Sequence, residues 1–199
     1  ENKSLIREIY LSGRESYLRY AYKCSRRIIE TNNYITFFAP VLRELFPRAK
    51  FVHIQRHPGD FVRSGINRNY YTGSGSDDIK RIVPVSGSEK AQWESYPQIQ
   101  KISWLWRETN QFIEEFKQDL DAENFMTINF NALDVDKVHA LTRFLEADVR
   151  PSFIRKKLSK RVNVQKTTIK EPFSQWKEEE KRQVDQIAGD LARQYGYKI

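Results

Sequence analysis

Two residues stand at a spacing that suits the capture of an anion. Arg56 ends the apolar run Phe51-Val52-His53-Ile54-Gln55, and Ser64 follows eight residues later, beyond the turn His57-Pro58-Gly59-Asp60. The run is short, β-branched and aromatic, with almost no polar alternation, which is how a strand of a buried parallel sheet reads. Pro58 is placed to open a helix, since its missing N–H is harmless in a first turn. Phe61, Val62 and Ile66 supply that helix with an apolar stripe. Arg56 therefore sits at the carboxyl edge of a strand, where open α/β sheets bind ligands, and Ser64 sits about two turns into the next helix. A guanidinium fork suits phosphate oxygens, a hydroxyl can join it, and the helix start adds backbone donors and a favourable dipole.

The elements that must hold these groups are readable at coarse grain. An amphipathic stretch from Ser4 to Ile28 reads as a helix, weakened at Gly13. A second helix is predicted over Tyr34 to Phe46, ended by Pro47, with Pro40 marking a kink or a late start. From Asn67 to Gln92 the pattern dissolves into Gly, Ser, Asp and Pro, so a long loop is expected there, a lid or an acceptor-specificity loop. A long helix over Tyr96 to Asp119 and a second strand over Phe125 to Phe130 follow. A helix capped by Asp134 runs to Glu146. A basic stretch spans Arg150 to Lys170, and a last helix covers Gln175 to Tyr195, acidic at its start and closed by Gly196. Helices alternating with strands give an α/β protein, a parallel sheet flanked by helices, and the 199 residues suit one domain.

Composition narrows the chemistry. A single Cys, Cys24, excludes an internal disulfide framework and a Cys-based zinc site, and three scattered His argue against a His-rich metal site. No apolar run approaches the roughly 18 residues of a membrane span. The net charge of +8 favours an anionic partner. One Cys fits a reducing, cytoplasmic setting and leaves a Golgi lumen open.

The segment Lys50 to Ser64 resembles the 3′-phosphate-binding motif of sulfotransferases that use 3′-phosphoadenosine 5′-phosphosulfate (PAPS). Arg56, Pro58, Asp60 and Ser64 match that motif in type and spacing. The approach Leu45-Phe46-Pro47-Arg48-Ala49-Lys50-Phe51 is similar too. Upstream, Ile29-Glu30-Thr31-Asn32-Asn33-Tyr34 resembles the segment that carries the proposed general base of the glycan enzymes. Thr31 stands where that segment usually has Lys. Downstream, Phe130-Asn131-Ala132-Leu133 occupies the place of a Tyr-Glu-x-Leu strand end, departing from it at Phe130 and Asn131. Phe144-Leu145, Trp176 and Gln194-Tyr195-Gly196-Tyr197 resemble later parts of the family, so the likeness runs from about Ile29 to Tyr197.

The resemblance implies a P-loop-NTPase-like sulfotransferase fold and transfer of a sulfuryl group from PAPS to a hydroxyl or amine of a small molecule or glycan. No metal and no nucleic-acid partner are implied. Arg56 and Ser64 would anchor the donor 3′-phosphate. Glu30 would be the base. Lys160, Arg161, Lys166 and Lys170 are candidates for a late basic loop over the same phosphate. The family's 5′-phosphosulfate loop has no counterpart in residues 1–28, so residues 1–199 are expected to be the C-terminal major part of one sulfotransferase domain. Two other readings stay open. A P-loop kinase would need Gly-x-x-x-x-Gly-Lys-Ser/Thr, which does not occur. A non-catalytic anion- or nucleotide-binding module is compatible with the charge.

Overall fold

The structure is a computed structural model that describes residues 2–73, 78–147, 149–160 and 170–199. It is mostly helical, with one small parallel sheet. Strand β1 (Phe51–Gln55) pairs with β2 (Phe125–Asn129) in the register Phe51↔Phe125 through Gln55↔Asn129. The two are the only strands among the described residues, so the flanked parallel sheet read from the sequence is present in reduced form. Parallel pairing demands a crossover, and helices supply it.

That crossover contains α3 (Pro58–Ile66), α4 (Gly87–Gln92) and α5 (Gln98–Gln118). Helix α5 packs against α3 and against α8 (Glu178–Gln194), and α3 also touches α8. Their shared faces form the core. Val62, Ile102, Trp176 and Val184 make one cluster, and Trp106, Ala188, Leu191 and Ala192 make the next. Small residues on α8 let it approach α5 closely. The three acids in the first turn of α8 and Arg193 in its last complement the helix dipole.

At the amino-terminal side, α1 (Lys3–Lys23) lies on α2 (Ala39–Leu45), with Tyr10 meeting the Phe46 ring edge-on at 6.2 Å. Helix α1 ends short of the predicted Ile28, and Ser25 adopts a positive φ beyond it. The stretch predicted as a helix from Tyr34 begins as a 3₁₀ segment, Asn33–Phe38, capped by the Asn32 side chain. Pro40 then falls in the first turn of α2, so the late start is what the proline imposes.

Two helices differ from the sequence reading. The Asn67 to Gln92 region is not all loop: it holds a 3₁₀ turn at Asp78–Lys80 and α4. The basic stretch contains α7 (Pro151–Leu158), which packs on α6 (Val135–Phe144). Asp134 caps α6 as expected, its Oδ1 accepting from Lys137 N at 2.7 Å. No helix among the described residues is long and apolar enough to cross a membrane.

Candidate functional site

The carboxyl ends of β1 and β2 lie side by side, and the residues that follow them meet the start of α3. Helix α3 begins with a local device. The His57 Nδ1 accepts from Gly59 N at 3.1 Å, and its Nε2–H donates to the Lys198 carbonyl at 2.8 Å. That imidazole is therefore a cap and a clamp on the chain's last residues. Phe173 packs so closely on Gly59 that a Cβ there would stand 2.3 Å from the ring, so Gly59 is required by close approach.

Arg56 is fixed by its backbone and its stem. Trp106 Nε1 on α5 donates to the Arg56 carbonyl at 3.0 Å. The guanidinium lies over the Phe130 ring, 5.4 Å from its centre. Its Nε is buried and has no hydrogen-bond partner among the described residues. Burial lowers the Arg56 pKa. Asp60 opposes that shift, while Arg68 and Arg63 push the same way as burial. The result is a partly desolvated cation, in a cluster of three arginines, with a donor left unmatched. Such a donor is unfavourable unless something accepts from it.

Ser64 is held in the same cluster. Arg68 Nη1 donates to the Ser64 hydroxyl oxygen and, at 3.2 Å, to the Ser64 carbonyl. The spacing of Ser64 and Arg68, four residues along the helix direction, makes this pairing possible. Asp60 does not pair with Arg56; its Oδ2 accepts from Asn131 Nδ2 at 3.0 Å and so ties the two strand ends together. Asn131, which departs from the family's acidic residue, serves here as that bridge. Tyr197 brings a further unmatched group: its hydroxyl is buried without a partner among the described residues, and burial together with Asp60 raises its pKa.

The late basic residues behave differently from one another. Lys170 lies close to α3: Arg63 Nε donates to its carbonyl at 3.1 Å, and its own N–H donates to Asn67 Oδ1 at 2.8 Å. Its ammonium is already taken, by Glu180 at 2.6 Å and Glu171 at 3.2 Å. Burial would lower its pKa, but those two carboxylates outweigh it and raise the value. Lys160 is exposed just beyond α7, and no hydrogen bond or ion pair among the described residues joins it to Arg56. Arg161 and Lys166 lie outside the described residues.

Glu30 is engaged elsewhere. Its Oε2 accepts from Arg14 Nε on α1 at 2.6 Å, and its Oε1 accepts from Asn32 N at 3.2 Å. No hydrogen bond or ion pair among the described residues links Glu30 to the arginine cluster. The structure thus brings Arg56 and Ser64 into one cluster and leaves Glu30 and Lys160 without a contact to it. Sequence reasoning missed Arg63, Arg68, Asn131 and Tyr197. The Ser64/Arg68 spacing was a usable signal for one of them. Phe130 is 49% exposed, with the Arg56 guanidinium over one of its faces.

The expected acceptor loop is stitched in place around one carboxylate. Asp78 Oδ1 accepts from Tyr71 N at 2.9 Å and from Arg81 Nε at 3.1 Å, and its Oδ2 accepts from Gly73 N at 3.1 Å. Tyr71 has φ +59°, a conformation that this clasp maintains. Arg81 also stacks on Tyr70, 3.3 Å from its ring centre, which ties the clasp to the residues just beyond α3. Among the described residues no group of three or more His, Cys, Asp or Glu could hold a metal ion.

No protein-family model, no curated protein and no solved structure matches the chain.

Proposed function

We propose that the chain belongs to a PAPS-dependent sulfotransferase domain, with Arg56 and Ser64 receiving the 3′-phosphate of the donor. One observation carries this reading. The Arg56 guanidinium, at the carboxyl end of a parallel strand and in the repelling field of Arg63 and Arg68, keeps a buried Nε–H without a partner among the described residues. A phosphate oxygen is the acceptor that such a fork fits.

The donor supplies an activated sulfuryl group whose bond to phosphate breaks as the acceptor oxygen attacks sulfur in line. The residues here position that donor. Arg56 donates to the phosphate, the Ser64 hydroxyl adds a second contact, and Arg68 supports it. Phe130, half exposed against Arg56, offers a flat face beside the same phosphate. Glu30 is the candidate base for the acceptor's proton, and Lys160, Arg161 and Lys166 are candidate partners of the phosphate from the basic stretch.

A non-catalytic anion- or nucleotide-binding module is the second reading. It is favoured by the ion pair of Glu30 with Arg14, which leaves the candidate base without a contact to the arginine cluster.

Thermal melting with adenosine 3′,5′-bisphosphate tests both readings at the donor site. At a hundredfold excess over the dissociation constant, binding adds about 2.7 kcal/mol, which for a chain this long is roughly 5–10 °C. The shift is expected in the wild type and not in Arg56→Ala. Equal shifts in both proteins would remove Arg56 from the site.

A further inference from the structure

The positive charge of this chain is concentrated in one place. The sequence holds 34 Lys and Arg against 26 Asp and Glu. Residues 149–170 contain eight of those cations and no acid, so the rest of the chain carries 26 of each sign and is electrically balanced. At the end of this stretch Lys170 turns back to Glu180 and Glu171. The others that the structure describes do not. Arg150, Arg155, Lys156, Lys157 and Lys160 have no ion-pair partner among the described residues.

Helix α7 carries three of these cations, Arg155, Lys156 and Lys157, in succession, and it rests on the protein through very little. Ile154 is 3% exposed, and every other residue from Arg150 to Lys160 is intermediate or exposed, those of α7 itself all exposed. Phe153 is 53% and Leu158 41% exposed, although both are large and apolar. Lys157 lies one turn beyond Phe153, with its ammonium 5.2 Å from the ring centre. The outward face therefore presents Arg155 and Lys156 beside a Phe153/Lys157 flank. It is a convex ridge of cations with apolar side chains among them.

We propose that α7 is a docking ridge for an anionic lipid surface. A ridge meets a plane without needing a groove. Long Lys and Arg stems let the charges reach headgroup phosphates and carboxylates while Phe153 enters the boundary between headgroups and acyl chains. Clusters of Lys and Arg on a short amphipathic helix have this affinity for acidic lipids. A soluble polyanion would use the charges but gives no reason for Phe153 and Leu158 to stand exposed among them; an acyl boundary does. The chain would then sit on the membrane without crossing it. The inference does not depend on the nucleotide reading, because the α7 residues it uses, Phe153, Arg155, Lys156, Lys157 and Leu158, are not among those proposed to hold the donor phosphate.

The test is co-sedimentation of the full chain with vesicles of pure phosphatidylcholine and with vesicles rich in phosphatidylserine. Three proteins are compared: the wild type, the double variant Lys156→Gln/Lys157→Gln, and Phe153→Ser. All three should melt alike, since the altered side chains are exposed. Wild-type binding is expected only to the phosphatidylserine vesicles. Each cation near an acidic bilayer contributes about fivefold, so the double variant should bind about 25-fold more weakly. Phe153→Ser should bind several-fold more weakly through lost apolar contact. Absence of a preference for phosphatidylserine overturns the proposal. So does wild-type affinity in Phe153→Ser combined with retention on heparin, which would make the ridge a site for soluble polyanions.

Discussion

Replacing Arg56 with Met should stabilise the protein in the absence of an anion. The reasoning is electrostatic. Arg56 keeps its guanidinium partly buried, with Nε unmatched and with Arg63 and Arg68 adding to the unfavourable field. The nearest acid, Asp60, is already bonded to Asn131. Exchanging a desolvated, poorly paired charge for an apolar side chain of similar length commonly gains about 1–4 kcal/mol. Against this stands the loss of the contact with the exposed Phe130 ring, about 0.5–1 kcal/mol. The Trp106 bond goes to the Arg56 backbone carbonyl and survives the substitution. The net spans about 0–3.5 kcal/mol, with its middle at about 2 kcal/mol in favour of the variant, or roughly 4–8 °C in Tm for a chain of this length. The assay is thermal and urea unfolding in a buffer free of phosphate and sulfate, then again with phosphate added. Added phosphate should raise the wild-type Tm and leave that of Arg56→Met unchanged. A variant that melts below the wild type in the anion-free buffer would refute the reasoning, because Arg56 would then be a structural cation with partners of its own.

Three further outcomes follow from the same structure. His53 on β1 is 4% exposed; its Nε2–H donates to Asn110 Oδ1 at 2.8 Å, and burial lowers its pKa despite Glu114 at 4.0 Å. A depressed folded pKa means the unfolded chain binds the extra proton first. Stability should therefore fall as pH drops below about 6.5, by at most about 1.4 kcal/mol per pH unit, and His53→Gln should flatten that slope; identical slopes would show that His53 takes up its proton equally in the folded and the unfolded chain. Asp78→Ala removes the acceptor shared by Tyr71, Gly73 and Arg81, which should cost about 1–3 kcal/mol and speed hydrogen exchange at the Tyr71 and Gly73 amides; unchanged exchange would mean the clasp does not hold the loop. On the sulfotransferase reading proposed above, Glu30→Gln should lower sulfuryl transfer by at least about a hundredfold while the bisphosphate still binds, and turnover equal to the wild type would leave Glu30 as a partner of Arg14 only.

What the sequence disclosed follows from how local each signal was. Strand β1 was legible to the residue, since the aromatic and β-branched residues of Phe51 to Gln55 form a short run bounded by Lys50 and Arg56. The same holds for α5, with its long apolar periodicity, and for the Asp134 cap. Helices α4 and α7 were hidden. Gly87 and the flanking serines read as loop, and the cations after Pro151 drew attention away from a proline standing at a first helical position. Within the site, the Arg56 to Ser64 spacing was visible because one strand–turn–helix unit contains it. The unmatched Nε, the Phe130 contact and the Asp60–Asn131 bridge depend on packing between segments far apart in the chain, so no local pattern could carry them. The pairing of Glu30 with Arg14 was hidden for the same reason: it needs α1 folded back over the segment that follows it.

The central claim is that the Arg56 cluster reads a 3′-phosphate. Calorimetric titration with adenosine 3′-monophosphate and, separately, with adenosine 5′-monophosphate tests it most directly, because the two ligands differ only in which hydroxyl carries the phosphate. The account predicts that the 3′-isomer binds at least about tenfold more tightly, a difference of about 1.4 kcal/mol, and that Arg56→Ala erases the preference. Equal affinities, or a preference for the 5′-isomer that Arg56→Ala leaves intact, would contradict it.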